Sequence, residues 1–363
     1  MLGLNSAVTL GLFTALSAGS IIFVVLFWQK LFRKGILNFI FRLLLLMLCQ
    51  ILIVSTVGIS INRSNGFYSS WADLMGKTID YSSVAIASNV TTTLDAAILD
   101  SGQKSLDGQV IIREIVKGEN SGISNVVYMV LPKSVASRIK SGKPIDLKTT
   151  KVVEFLAGYP SQPEIWFRSL NIAKALAAAE KANPGMSIIG VIPAVNIAGK
   201  QDLECMNFPN GGPQTETWLS TDLHSFVDHR LGISPIRWGL MGVSTGGWCS
   251  AMLSVKHEDL FYGAVSIAGY YRPALSKKTD SLVKAQLEKD YSFPELEAGM
   301  TGRMDMLLIA SVGDIYSFHE TQKFRLVKHP KIAYQYIEIP MGGHNARVWI
   351  SHLAVAIEWL KQH

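Results

Sequence analysis

The sequence predicts an α/β domain built on a mainly parallel sheet with helices on both faces, preceded by two transmembrane helices. Three observations predict it. Two long apolar runs occupy about residues 7–28 and 36–61. From Gly108 onward strand-like and helix-like segments alternate. A glycine-flanked turn, Gly242-Val243-Ser244-Thr245-Gly246, joins one of those strands to one of those helices.

The apolar runs account for the composition. Only 17% of the 363 residues are charged, and mean hydropathy is +0.25. Residues 7–28 carry no charge, and their length matches the roughly 20 residues that cross a hydrocarbon core. Residues 36–61 carry one charge, Arg42, close enough to the start to snorkel to the interface. Lys30, Arg33 and Lys34 lie between the runs, residues 1–6 have no basic side chain, and Arg63 alone closely follows the second run. The positive-inside rule then puts the short loop in the cytoplasm and all that follows the second span outside it. A cleaved signal peptide is the competing reading of the first run, but a basic leading region is missing and the run is long. The chain is therefore expected to be a multi-pass cell-membrane protein with an extracytoplasmic domain. Its expected divisions are a membrane anchor at 1–61, a connector at 62–107 and the α/β domain at 108–363. The connector is polar and holds Phe67, Tyr68 and Trp71, which suit a membrane interface; a short helix is expected near residues 71–75.

In the α/β domain, residues 110–116 and 125–131 read as an antiparallel strand pair. Alternation follows: strand 152–156, helix 166–182, strand 187–192, helix 216–231, strand 236–241, helix 245–256 and strand 262–267. Strand 304–311, a helix to 326, strand 332–339 and helix 346–361 complete it. That makes about eight strands in a sheet covered on both sides.

The net charge of +6 is dispersed, with no basic cluster interleaved with aromatics, so nucleic acid is not an expected partner. Three cysteines without Cys-x-x-Cys spacing argue against a zinc or redox site. Cys49 falls in the second apolar run. Cys205 and Cys249 belong to the α/β domain and are expected to form a disulfide if it lies outside the cytoplasm.

Chemistry concentrates at Ser244. A Gly-x-Ser-x-Gly turn between a buried strand and a helix is the nucleophile elbow of the α/β-hydrolase fold. Gly242 and Gly246 allow the close chain crossing it needs. A serine hydroxyl needs an adjacent base. His344, on the glycine-containing loop after the last strand, is the best placed of the eight histidines. The third member should follow strand 304–311, where Asp314 stands, with Glu320 as backup and Asp305 at the wrong end of the strand. The chain order Ser244, Asp314, His344 is that of an α/β-hydrolase triad. An oxyanion hole needs two N–H donors. These are assigned to Thr245 and to Tyr159 or Gly158, since Pro160 has no N–H.

The run Val153-Glu154-Phe155-Leu156-Ala157-Gly158-Tyr159-Pro160, the Gly-Val-Ser-Thr-Gly-Gly-Trp elbow and the Gly-Gly-His-Asn-Ala-Arg-Val-Trp ending resemble the Putative esterase family of α/β-hydrolases. The likeness is greatest to membrane-anchored, mycolyltransferase-like members and covers about residues 108–363. It implies ester hydrolysis or acyl transfer through an acyl-serine, without a cofactor, on an ester or acyl-lipid substrate. Related hydrolases often carry histidine where this chain has Ala157. The segments 202–205 and 214–218, together with Tyr270, Tyr271 and the stretch to Gly302, are expected at the carboxyl edge of the sheet as specificity elements. Three functions compete: an esterase, an acyltransferase moving acyl groups between envelope lipids or sugars, and a non-catalytic binding module.

Overall fold

The computed structural model describes residues 3–4, 6–28, 35–65, 71–75, 93–101, 103–104, 108–197 and 201–363. The expected cytoplasmic loop at 29–34 and the aromatics Phe67 and Tyr68 lie outside them. Contacts divide the chain into two compact units, residues 1–79 with 345–347, and residues 80–344 with 348–363.

The first unit holds two long helices, α1 (Ala7–Phe27) and α2 (Ile36–Asn65), and a short α3 (Trp71–Leu74). Ser6 caps α1 by accepting from the Thr9 N–H. The two helices pair through small and hydroxylated residues, with Ser17 Oγ 2.9 Å from Thr56 Oγ1. Elsewhere they expose large apolar side chains, among them Val8, Leu26, Leu37 and Val54. Both are long and apolar enough to cross a membrane.

The second unit opens with α4 (Ala96–Ser101), then β1 (Gln103–Lys104), β2 (Val110–Lys117), β3 (Ser124–Leu131) and α5 (Lys133–Lys140). There follow β4 (Thr150–Leu156), α6 (Ile165–Arg168), α7 (Ile172–Ala182), β5 (Ser187–Pro193), α8 (Thr215–Thr217), a π turn at Trp218–Asp222 and α9 (Leu223–Leu231). Then come β6 (Trp238–Val243), α10 (Thr245–Lys256), β7 (Phe261–Ile267), α11 (Ser281–Asp290), α12 (Phe293–Gly299) and β8 (Met304–Ser311). The last elements are α13 (Ile315–Leu326), β9 (Ile332–Ile339), α14 (Ala346–Ile350) and α15 (Leu353–Gln362).

The sheet order is β1-β2-β3-β5-β4-β6-β7-β8-β9. The first three pairings are antiparallel, and β5 through β9 run parallel. The eight strands expected are joined by a ninth, the two-residue β1, too short to carry an alternating pattern. The expected helix at 166–182 is two helices, because Asn171 takes a left-handed φ of +51° between α6 and α7. The expected helix at 216–231 begins as α8, widens into the π turn and continues as α9. The expected final helix is broken between α14 and α15. These are the α/β-hydrolase fold's layers, with β4, β5 and β6 buried along their whole length except Lys151. Such strands, covered on both faces, read as unbroken apolar runs. Four fully buried tryptophans, Trp166, Trp218, Trp238 and Trp248, fill the space between sheet and helices.

Candidate active site

Strand β6 ends at Val243, and Ser244 turns the chain directly into α10 with φ +57° and ψ −123°. That conformation is strained for a residue with a Cβ and persists only where its surroundings fix it. The Ser244 N–H donates to the Ile267 carbonyl at 2.9 Å, and its own carbonyl accepts from Gly247 at 2.8 Å. Glycines make the turn possible. A Cβ on Gly242 would overlap the Gly246 carbonyl, and one on Gly246 would overlap the Leu156 carbonyl.

The loop after β9 brings His344 to this turn. His344 Nε2 lies 2.8 Å from Ser244 Oγ, and His344 Nδ1 lies 2.5 Å from Asp314 Oδ2. Gly342, with φ +127°, lets the loop pass under Val348, and the Ser311 hydroxyl fixes it by donating to the Gly342 carbonyl. The His344 ring meets the Trp349 ring edge-on at 4.9 Å. Asp314 stands where β8 gives way to α13 and is buried, while the His344 side chain is 42% exposed. Burial would raise the Asp314 carboxyl, but hydrogen bonds from His344 and Ser317 and the His344 charge together outweigh it and hold the group below its ordinary value. A carboxylate on Nδ1 keeps the proton there and turns the Nε2 lone pair toward the serine hydroxyl. Glu320, the backup acid, is instead held by Arg272 and Lys323. Asp305 pairs in register with Gly263 and Ala333 near the start of β8.

The parallel register of β4 against β6, Leu156 beside Gly242, lays the 157–160 loop alongside Ser244. A Cβ on Gly158 would stand 2.8 Å from Ser244 Cβ. Asn196, just past β5, grips this loop by donating to the carbonyls of Gly158 and Ser161. Thr245 heads α10, where the first N–H groups have no partner within the helix. The structure therefore brings Gly158 against the serine, with Tyr159 next to Gly158 and Thr245 next to Ser244 along the chain. Asn196 is a member that sequence reasoning did not find; a lone asparagine past a strand gives no pattern.

A second polar cluster touches Thr245. Its Oγ1 is 3.3 Å from Asp202 Oδ2 and 3.1 Å from the Tyr270 hydroxyl, which lies 2.9 Å from each Glu204 carboxyl oxygen. Burial, and then the nearby Asp202 charge, pushes the Glu204 carboxyl up to about 8. Glu204 and Cys205 both take positive φ, +53° and +56°. Two ties hold this bend on α10: Trp248 Nε1 donates to the Glu204 carbonyl at 3.1 Å, and a disulfide joins Cys205 to Cys249. Cys49 is a free cysteine.

Of the expected specificity elements, 202–205 and Tyr270 lie at the site, and Tyr271 does not. Its ring packs on Phe324 in the core and its hydroxyl reaches Ser266. Residues 214–218 build structure: Glu216 binds His257, Lys256 and Tyr291, and Trp218 is buried. A cavity of about 460 Å³ opens between Tyr159 and Asp202, lined also by Gln201, Ala274, Ser276, Lys278 and Thr279.

A family model described as Putative esterase matches residues 141–360, more than half of the chain. An uncharacterised protein of Corynebacterium glutamicum is 21% identical over 229 residues, 58% of this chain and 52% of that one. The MPT51 antigen of Mycobacterium leprae is 29% identical over 125 residues, 34% of this chain and 41% of the antigen. The chain thus spans about half or less of the length of these curated relatives. Among solved structures, a fluorophosphonate-binding serine hydrolase of Staphylococcus aureus, substrate bound, aligns with a TM-score of 0.56 at 16% identity. That alignment covers 69% of this chain and 98% of the other. An S-formylglutathione hydrolase of Agrobacterium tumefaciens aligns with a TM-score of 0.55 at 13% identity, over 72% and 97%. At such identities the likeness is one of fold.

Proposed function

This chain belongs to the Putative esterase family, and from that premise we propose that it is a serine esterase working through an acyl-serine. The observation that carries the reading is the unbroken chain of hydrogen bonds from Ser244 through His344 to Asp314. Ser244 Oγ attacks the ester carbonyl carbon as its proton passes to His344 Nε2. The resulting oxyanion sits against the N–H groups of Thr245 and of the Gly158–Tyr159 loop. The ester C–O bond then breaks, and His344 returns the proton to the departing alcohol. Water repeats the sequence on the acyl-serine, giving its proton to His344 and releasing the acid while Ser244 is restored. Asp314 stabilises the imidazolium in both halves.

An alcohol could replace water, which would make the enzyme an acyltransferase. What favours this second reading is the cavity between Tyr159 and Asp202, with polar residues and room for an acceptor. A fluorophosphonate probe tests both against a non-catalytic module. Wild-type protein is expected to label and the Ser244→Ala variant not to; an unlabelled, folded wild type would sink both enzymatic readings. Product analysis with and without an added alcohol divides hydrolysis from transfer.

We further propose that α1 and α2 span a membrane and that the catalytic unit works outside the cytoplasm. Support comes from Lys30, Arg33 and Lys34 between the two helices and from the Cys205–Cys249 bridge, which suits an oxidising compartment. Leu326 is 87% exposed, so a Leu326→Cys variant should react with a membrane-impermeant maleimide in intact cells. Reaction only after lysis would reverse the orientation.

A further inference from the structure

Resting on the assignment of Thr245 as an oxyanion donor, we propose that Glu204 and Tyr270 are positioning residues for that donor. They act through a single proton held by the Asp202–Glu204 carboxyl pair and relayed by hydrogen bonds to the Thr245 side chain.

Counting hydrogens leads there. Three contacts run in series: Glu204 to the Tyr270 hydroxyl, Tyr270 to Thr245 Oγ1, and Thr245 Oγ1 to Asp202. Tyr270 and Thr245 supply one proton each. With both carboxyls ionised, two protons must serve three contacts, and one contact would set two acceptors face to face. One more proton, on Glu204, completes the series in a single direction. Glu204 donates to Tyr270, Tyr270 to Thr245, and Thr245 to Asp202. Burial decides where that proton resides: Glu204 is 2% exposed, whereas Asp202 is half-buried and borders the cavity. A buried chain satisfied at every step is rigid, and one missing a proton is not.

Among the described residues, neither Glu204 nor Asp202 forms an ion pair with a cation. On its own segment Glu204 faces Asp202, and from α10 Thr245 and the Trp248 indole. From the segment after β7 it faces Tyr270 and the Ala274 N–H, and from α13 Tyr316, whose ring is 5.8 Å from that of Tyr270. Arg272 is engaged by Glu320, and Lys278 lines the cavity beside Asp202. The bend carrying Glu204 is fixed to α10 by the Cys205–Cys249 bridge. Once the shared proton leaves, Tyr270 turns to Glu204, and Thr245 loses the donor that oriented it. A second negative charge also arrives beside the place where the oxyanion must form. Each change raises the barrier to attack.

The experiment is a pH profile of p-nitrophenyl butyrate hydrolysis by the full-length protein in detergent, with fluorophosphonate labelling rates alongside. The wild-type kcat is expected to rise on the acid side and then to fall about tenfold above roughly pH 8 through one ionisation. Glu204→Gln places a permanent N–H donor where the shared proton sits, so its profile should lack the alkaline fall. Glu204→Leu and Tyr270→Phe should lower kcat about tenfold at every pH, with KM within about twofold. An alkaline fall retained by Glu204→Gln, or an undiminished kcat in Tyr270→Phe, would overturn the proposal while leaving the esterase reading standing. A wild-type protein that neither hydrolyses nor labels would overturn both.

Discussion

Ser244, Asp314 and His344 lie 70 and 30 residues apart along the chain, yet each was legible from its immediate neighbours. Glycines flank the serine because the turn leaves no room for a Cβ. Glycines precede the histidine because its loop must bend back over the sheet. Asp314 follows directly on a strongly apolar strand. Asn196 and the Glu204–Tyr270 contact were not legible as partners, since their meaning arises only through space. Asp314 carries a prediction at this scale. Asp314→Asn can still fill the same space, but its amide is able to hold His344 in the wrong tautomer. A loss of about 10⁴-fold in kcat is expected with little change in KM, read by steady-state kinetics. A fall of less than about tenfold would move the orienting role to another group.

At the scale of elements, α9 and β6 meet through an aromatic pair. His224 stacks on Trp238 at 3.7 Å and has 5% of its surface exposed. Burial, assisted by the His257 charge, holds the His224 imidazole down to about 3. The folded protein thus resists protonating a ring that an unfolded chain protonates near pH 6.5. This contribution to stability is intact above pH 6.5 and is lost as pH falls from there toward 3, at up to about 1.4 kcal/mol per pH unit. His224→Phe keeps the stacking and removes the titration, so its melting temperature should fall less steeply on acidification than that of wild type. Parallel acid curves for the two proteins would refute this. The elements themselves were unequally legible. Central strands show as apolar runs because both faces are covered. The break at Asn171 leaves no glycine or proline to mark it; α5 is amphipathic but only eight residues long, α11 has little apolar period, and α12 spans only seven residues. The register of β4 against β6, which brings Gly158 to Ser244, is a property of the sheet and of neither strand alone.

At the scale of the whole molecule, the chain consists of two units with different surfaces. The first exposes apolar side chains along α1 and α2, and the second buries them. That contrast was plain from composition, since charge is scarce before residue 62 and ordinary afterwards. What composition did not disclose is how the acidic bend meets the nucleophile helix. The Cys205–Cys249 bridge closes a 44-residue separation, and its loss is expected to cost about 2–4 kcal/mol. The double variant Cys205→Ser, Cys249→Ser should therefore unfold at lower urea. Activity should fall before global unfolding begins, because the bend carrying Glu204 would keep only the Trp248 tie to α10. Coincident loss of activity and fold would show that the bridge serves stability alone.

The same bridge also gives the protein a schedule. A newly synthesised chain has Ser244, His344 and Asp314 from the start, but the covalent clamp on the neighbouring bend forms only when two thiols are oxidised. If the catalytic unit is exported as proposed, full hydrolytic competence would then be a property of the finished, oxidised molecule. A chain still in a reducing cytoplasm would be a poor catalyst, which spares the cell from an esterase acting before it reaches its station.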